Sequence, residues 1–175
     1  MTPPEFIIAN VRCHLGQLTE LNVEYVSWVF REIDRHFGVQ FETIIGMSAR
    51  DYVPTVIAKV CGKPPPEGVF YLVFVHGQLA GMGGLRGLSQ ARAEIKRIYI
   101  RPPFRGMGLG ELVLNRLMSD ASHFGYKSVC LDSAPFMKSA QRVYEKNGFV
   151  DRQPYDGVEV LLEFHSRWRF MERAL

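Results

Sequence analysis

The chain has 175 residues, 47% hydrophobic and 22% charged, with a formal net charge of +3. That length suits one well-formed core and is short for two, so a single domain over 1–175 is expected, and the composition leaves no reason for a disordered tail. A charge this small makes a weak case for nucleic acid, although it is compatible with an anionic small ligand.

The chain opens Met-Thr-Pro-Pro-Glu, without a basic segment leading into an apolar signal core. Phe6 to Ala9 reads as a short strand. A helix is expected from about Leu21 to Phe37, because Val26, Val29, Phe30, Ile33 and Phe37 form one stripe and Gly38 can end it. A loop from Val39 to Arg50, placed to line a pocket, separates it from a second helix. That helix takes Asp51 as N-cap, carries Pro54 in its first turn, and stops at Gly62 before Lys63-Pro64-Pro65-Pro66-Glu67.

Val69 to Val75 is apolar on both faces, as a central strand should be, and is too short to cross a membrane. His76-Gly77-Gln78 turns the chain into a strand from Leu79 to Leu85, where Gly81, Gly83 and Gly84 allow close backbone approach or a bulge. Arg92 to Ile100 is a further strand, with Ile98 and Ile100 on one face, and Pro102-Pro103 ends it. Leu109 to Phe124 recurs at helical spacing and is closed by Gly125. Ser128 to Asp132 then completes a βαβ unit. Near the C-terminus, Val158 to Phe164 and Trp168 to Met171 both have strand character.

Cys13, Cys61 and Cys130 are far apart, with no Cys-x-x-Cys pair, and His14, His36, His76, His123 and His165 are equally scattered. Reduced thiols in a cytoplasmic protein are therefore expected, with no disulfide framework and no metal site.

The stretch richest in chemistry is Arg105-Gly106-Met107-Gly108-Leu109-Gly110, between strand and helix. Its glycines expose backbone N–H groups where the helix N-terminus adds partial positive charge, which suits a phosphate-bearing ligand. A Walker loop would need Gly-Lys-Ser/Thr, but Glu111 and Leu112 follow Gly110. A dinucleotide fingerprint needs Gly-x-Gly-x-x-Gly, and the spacing here differs.

Arg-x-x-Gly-x-Gly in this context resembles the acyl-CoA loop of the GNAT superfamily of N-acetyltransferases. Ser139-Ala140-Gln141-Arg142-Val143-Tyr144-Glu145-Lys146-Asn147-Gly148-Phe149 is similar to the second motif of that family. The resemblance covers Glu94 to Phe149. It implies a mixed, mostly antiparallel α/β (α+β) sheet of about six to seven strands with helices on both faces. It also places the last strand at Arg167 to Ala174 and makes Asp156 to Ser166 a loop over the substrate mouth.

The implied reaction is direct transfer of an acetyl group from acetyl-CoA to a primary amine through a tetrahedral intermediate. By resemblance, backbone groups of Ile98, Tyr99 and Ile100 would hold the pantetheine, and the amides of Gly106, Met107, Gly108, Leu109 and Gly110, with Arg105, the pyrophosphate. Ile98 N–H would face the oxyanion. Glu94 stands at the position of a general base, and Tyr144 at that of the tyrosine serving the departing sulfur. Ser139 stands where many relatives have an asparagine that touches the pantetheine. A small-molecule amine is the expected acceptor, with no nucleic-acid or membrane partner and a homodimer open to the chain. A protein lysine or N-terminus, or acyl-CoA binding without turnover, are the alternatives.

Overall fold

A computed structural model describes residues 3–175; Met1 and Thr2 of the opening segment lie outside them. The elements are β1 (Glu5–Ile8), α1 (Leu15–Phe37), α2 (Phe41–Ile45), α3 (Ala49–Cys61), β2 (Gly68–Val75), β3 (Gln78–Gly87), β4 (Arg92–Ile100), α4 (Leu109–His123), β5 (Ser128–Ser133), α5 (Lys138–Lys146), β6 (Val150–Arg152) and β7 (Arg169–Ala174). The strands form one sheet in the order β1-β2-β3-β4-β5-β7-β6. Every pairing is antiparallel except β4 with β5, because α4 carries the chain back across the sheet between them. This is the mixed, mostly antiparallel sheet expected from the sequence.

Alternation along β2 divides the core between the two faces. Phe70 and Leu72 pack under α1 and α3, whereas Val69, Tyr71 and Val73 pack with α4. Both sets are buried, so the strand is apolar throughout. At the following turn, His76 and Gly77 both have positive φ, which matches the right-handed twist of a tight hairpin.

Several boundaries differ from the sequence reading. α1 begins at Leu15, six residues early, because Leu18 is wholly buried and tertiary packing overrides the weak propensity of Gly16 and Thr19. The segment after Gly38 contains α2, ended by left-handed Gly46. α3 is capped by Ser48, whose Oγ accepts from Asp51 N–H and donates to the Asp51 carboxylate. Asp51 is therefore the reciprocal partner of the cap, and Pro54 falls in the second turn. Pro54 is exposed, so the carbonyl it leaves unbonded faces solvent. At the C-terminus, Val158 to Phe164 is not a strand: Leu162–Arg167 forms a 3-10 turn before β7. β6 is a short strand paired with β7 that no sequence pattern announced.

No helix among the described residues is long and apolar enough to cross a membrane. No cluster of three or more metal-ligating side chains occurs among them either.

Candidate active site

β3 and β4 are out of step between Met82 and Gly84, where Arg97 takes φ +53°. A positive φ on a non-glycine residue in a strand is strained backbone and marks a bulge. The bulge is possible because Gly83 has no side chain: a Cβ there would stand 2.5 Å from Val113 Cγ1. Its consequence is a change of face. Lys96 and Arg97 both line the cavity under α1, and Ile98 returns to the α4 side.

β4 and β5 pair only from Arg92 with Ser128 to Glu94 with Cys130. Beyond that point they separate, leaving the β5-facing edge of β4 from Ile95 onward without a strand partner. That edge contains Ile98, Tyr99 and Ile100, whose backbone groups an extended ligand could bond as an added strand.

At the end of this edge, a 3-10 turn at Pro102–Phe104 leads into the glycine loop. Gly106 and Gly108 have φ of +78° and +74°, and Gly108 is the N-cap of α4. Added Cβ atoms at Gly106, Gly108 and Gly110 would all meet open space. The N–H groups of Gly106 through Gly110 donate to no backbone carbonyl among the described residues. Five free donors at a helix N-terminus fit an anionic phosphate. Arg105 Nε donates to the Ile100 carbonyl at 2.9 Å, which pins the loop to β4. Met107 is exposed, whereas the Leu109 side chain is buried, so only the Leu109 amide faces the cradle.

A cavity of about 350 Å³ opens on the other face of the gap. Its apolar walls are Val26, Val29, Phe30 and Ile33 of α1, Phe41 and Ile45 of α2, and Leu161 and Phe164. The sheet side is charged, with Lys96, Arg97 and Asp132, and Glu159 approaches from the loop. Asp132 Oδ1 accepts from Trp168 Nε1 at 2.9 Å. Burial raises its pKa above the usual carboxylate range and Glu94 adds to this, while Lys96 and the Trp168 bond work the other way. For Glu159, burial also favours the neutral acid, but Lys96, Arg97 and Arg86 together outweigh it and hold the pKa low. The cavity therefore contains one carboxyl tuned towards proton acceptance and one fixed as an anion.

Tyr144 lies on the opposite side, packed against Phe149 with ring centroids 5.9 Å apart. Its pKa is raised by burial and then by Tyr25 and Asp132. It therefore stays a neutral phenol, packed with the cluster on the α4 side of the sheet. Glu94 is placed differently. It is wholly buried, is absent from the cavity wall, accepts from Arg86 Nε at 2.6 Å and Tyr155 Oη at 2.8 Å, and has Lys96 Nζ at 3.5 Å. Arg86 in turn donates to the Gly157 carbonyl at 2.7 Å. Glu94 thus ties the segment carrying Glu159, Val160 and Leu161 to the sheet. Ser139 is exposed, and its Oγ accepts from Arg142 at 3.2 Å.

Cys61 and Cys130 are buried, and burial pushes both thiols up to about 12. Neither lines the cavity. A thiol held protonated is a poor nucleophile, so these cysteines offer no acyl-enzyme route.

Sequence reasoning missed Asp132, Arg97 and Glu159 as candidates. For Asp132 there was a signal: a carboxylate at the C-terminal end of a parallel strand stands where ligand crevices open. Arg97 and Glu159 gave none, because one depends on a bulge and the other on a loop anchored by distant residues.

The fold places a glycine loop with free amides at a helix N-terminus and a cavity of about 350 Å³ at one break in a mixed sheet. The chain matches the acetyltransferase (GNAT) family over residues 29–149. It is 30% identical over 138 residues to the uncharacterised N-acetyltransferase YjgM of Escherichia coli K12, covering 77% of this chain and 80% of that protein. An uncharacterised N-acetyltransferase of Schizosaccharomyces pombe is 31% identical over 93 residues, which span 52% of this chain and 57% of that one. Among solved structures, PaiA N-acetyltransferase of Thermoplasma acidophilum in complex with coenzyme A shares the fold with a TM-score of 0.69. It is 17% identical, with 99% of this chain and 100% of that chain covered. The chain belongs to the acetyltransferase (GNAT) family.

Proposed function

We propose that residues 1–175 act as one acetyl-CoA-dependent N-acetyltransferase domain whose acceptor is the amine of a small molecule. The observation that carries this reading is the meeting of the glycine-loop amides and the apolar-walled cavity at the gap between β4 and β5. Walls from α1, α2 and the loop after Glu159 favour a small acceptor over a protein surface.

The residues fit acetyl-CoA: the amides of Gly106 to Gly110 for its pyrophosphate, Arg105 beside them, the β4 edge at Ile98, Tyr99 and Ile100 for the pantetheine, and exposed Ser139 at the rim. The thioester supplies an activated acetyl carbon. In the net reaction an N–C bond forms, the C–S bond breaks, and the amine gives up a proton while the thiolate gains one. Asp132 receives the amine proton, since its raised pKa brings it closer to neutral pH than an ordinary carboxylate. Glu159 attracts the ammonium form into the cavity. Ile98 N–H, beside the bulge, faces the acyl oxygen, and Tyr144 donates a hydrogen bond to the sulfur. Glu94 acts by holding the loop and raising the pKa of Asp132.

The test is thiol release from acetyl-CoA with a panel of amines, alongside calorimetric titration with CoA. Binding with turnover supports the enzyme; binding without turnover of any amine would leave an acyl-CoA-binding module.

A further inference from the structure

Arg97 stands apart among the charged groups of the cavity. Lys96 Nζ is 2.9 Å from Glu159 and 3.5 Å from Glu94, and Arg86 is held by Glu94. Arg97 has no carboxylate within 4 Å among the described residues. Its one hydrogen bond there goes from Nη1 to the side-chain oxygen of Asn22. Asn22 is itself wholly buried and donates to the Leu18 carbonyl at 2.7 Å. A guanidinium has five N–H donors, so most of this fork is left unused, aimed from a strained backbone position into the cavity. Strain and a buried positioning amide fix its orientation without neutralising it. Such a fork matches a carboxylate bidentately.

The rest of the cavity supplies complementary features. Glu159 is an anion at the cavity wall: Oε2 is 2.9 Å from Lys96 Nζ, while Oε1, 3.7 Å from Arg86 Nη1, makes no hydrogen bond and keeps acceptor capacity that an ammonium group could use. Phe30, Phe41, Phe164, Val29 and Ile33 form a wall that would take a hydrocarbon side chain out of water. The volume of about 350 Å³ is at the small end of ligand cavities. Resting on the proposed acetyl transfer, we infer that the acceptor is an α-amino acid with an apolar side chain, such as leucine or phenylalanine. Arg97 binds its carboxylate, Glu159 and Asp132 face its amine, and the α1, α2 and Phe164 wall takes its side chain.

The test compares L-leucine and L-phenylalanine with their amides and with isoamylamine and phenethylamine, by thiol release from acetyl-CoA. The free acids are expected to have kcat/KM on the order of 100-fold above their amides. Arg97→Gln and Arg97→Lys, checked for folding by circular dichroism, should collapse that ratio towards 1. A second readout needs no turnover. N-acetyl-L-phenylalanine should bind the CoA-loaded wild-type protein measurably better than N-acetyl-phenethylamine in calorimetry, and the preference should vanish in Arg97→Gln. Equal or better use of amides and decarboxylated amines overturns the carboxylate inference and leaves acetyl transfer standing. Failure to turn over any amine while CoA binds sinks the enzyme reading; the calorimetric preference then decides by itself whether the cavity selects a carboxylate.

Discussion

Asp132 shows how a single side chain can be tuned by its surroundings. Its folded pKa is raised, so between the ordinary carboxylate range and that raised value the folded protein binds more protons than the unfolded chain. Its contribution to stability therefore declines as pH rises through the window, and above it the buried charge is a standing cost. Asp132→Asn should raise Tm at pH 8, with the gain shrinking on acidification towards pH 4. The same substitution should lower kcat/KM by about 10²- to 10⁴-fold and abolish the acid limb of the pH profile. An acid limb that survives in the variant would take the base role from Asp132. Tyr144 is tested by Tyr144→Phe, which keeps the ring. If the hydroxyl serves the departing sulfur, kcat should fall on the order of 10- to 1000-fold while acetyl-CoA affinity by calorimetry changes little. Loss of Tm with kcat preserved would make Tyr144 a packing residue.

Two elements depend on glycine for opposite reasons. Gly108 needs its left-handed φ at the start of α4, and open space surrounds its Cβ position. Gly108→Asp should therefore leave the fold largely intact, at about 1–2 kcal/mol of backbone strain, while placing a carboxylate where phosphate oxygens would approach. Calorimetry should show CoA affinity lost; unchanged affinity in a folded variant would remove the loop from the site. Gly83 is needed for packing, since Val113 already occupies the space its Cβ would take. Gly83→Val should cost about 1–3 kcal/mol in urea unfolding and displace the bulge that carries Arg97. A variant of wild-type stability would show that β4 reaches its bulge without that close approach.

On the scale of the molecule, a buried charge network joins the sheet to the loop over the cavity. Glu94 has zero exposure, and Arg86 beside it only 11%. Removing one partner leaves the other charge buried, so Glu94→Gln should cost about 3 kcal/mol by denaturant unfolding. Acceptor KM should rise as the Tyr155 to Leu161 segment loosens. Because Glu94 also raises the pKa of Asp132, the acid limb of kcat/KM should move to lower pH. Full stability combined with a large fall in kcat would instead assign Glu94 the base role itself.

What the sequence determined by itself was everything encoded locally. A continuous apolar run gave β2, helical spacing and Gly125 gave α4, and Arg105 to Gly110 announced the glycine turn before α4, because turn chemistry and periodicity act over a few residues. The glycine loop and the Ser139 to Phe149 segment, in order and separated by a βα unit, pointed to the family that the chain matches. The cavity under α1 was not readable in this way. Arg97 reaches the cavity only because Gly83, fourteen positions earlier in the chain, lets β4 bulge. Asp132 becomes basic only where β5 leaves β4 and burial acts on its carboxyl. Nothing near Glu94 in the sequence shows that Arg86 and Tyr155 close over it. Charge placement and desolvation depend on which distant segments pack together, and only the tertiary structure decided that.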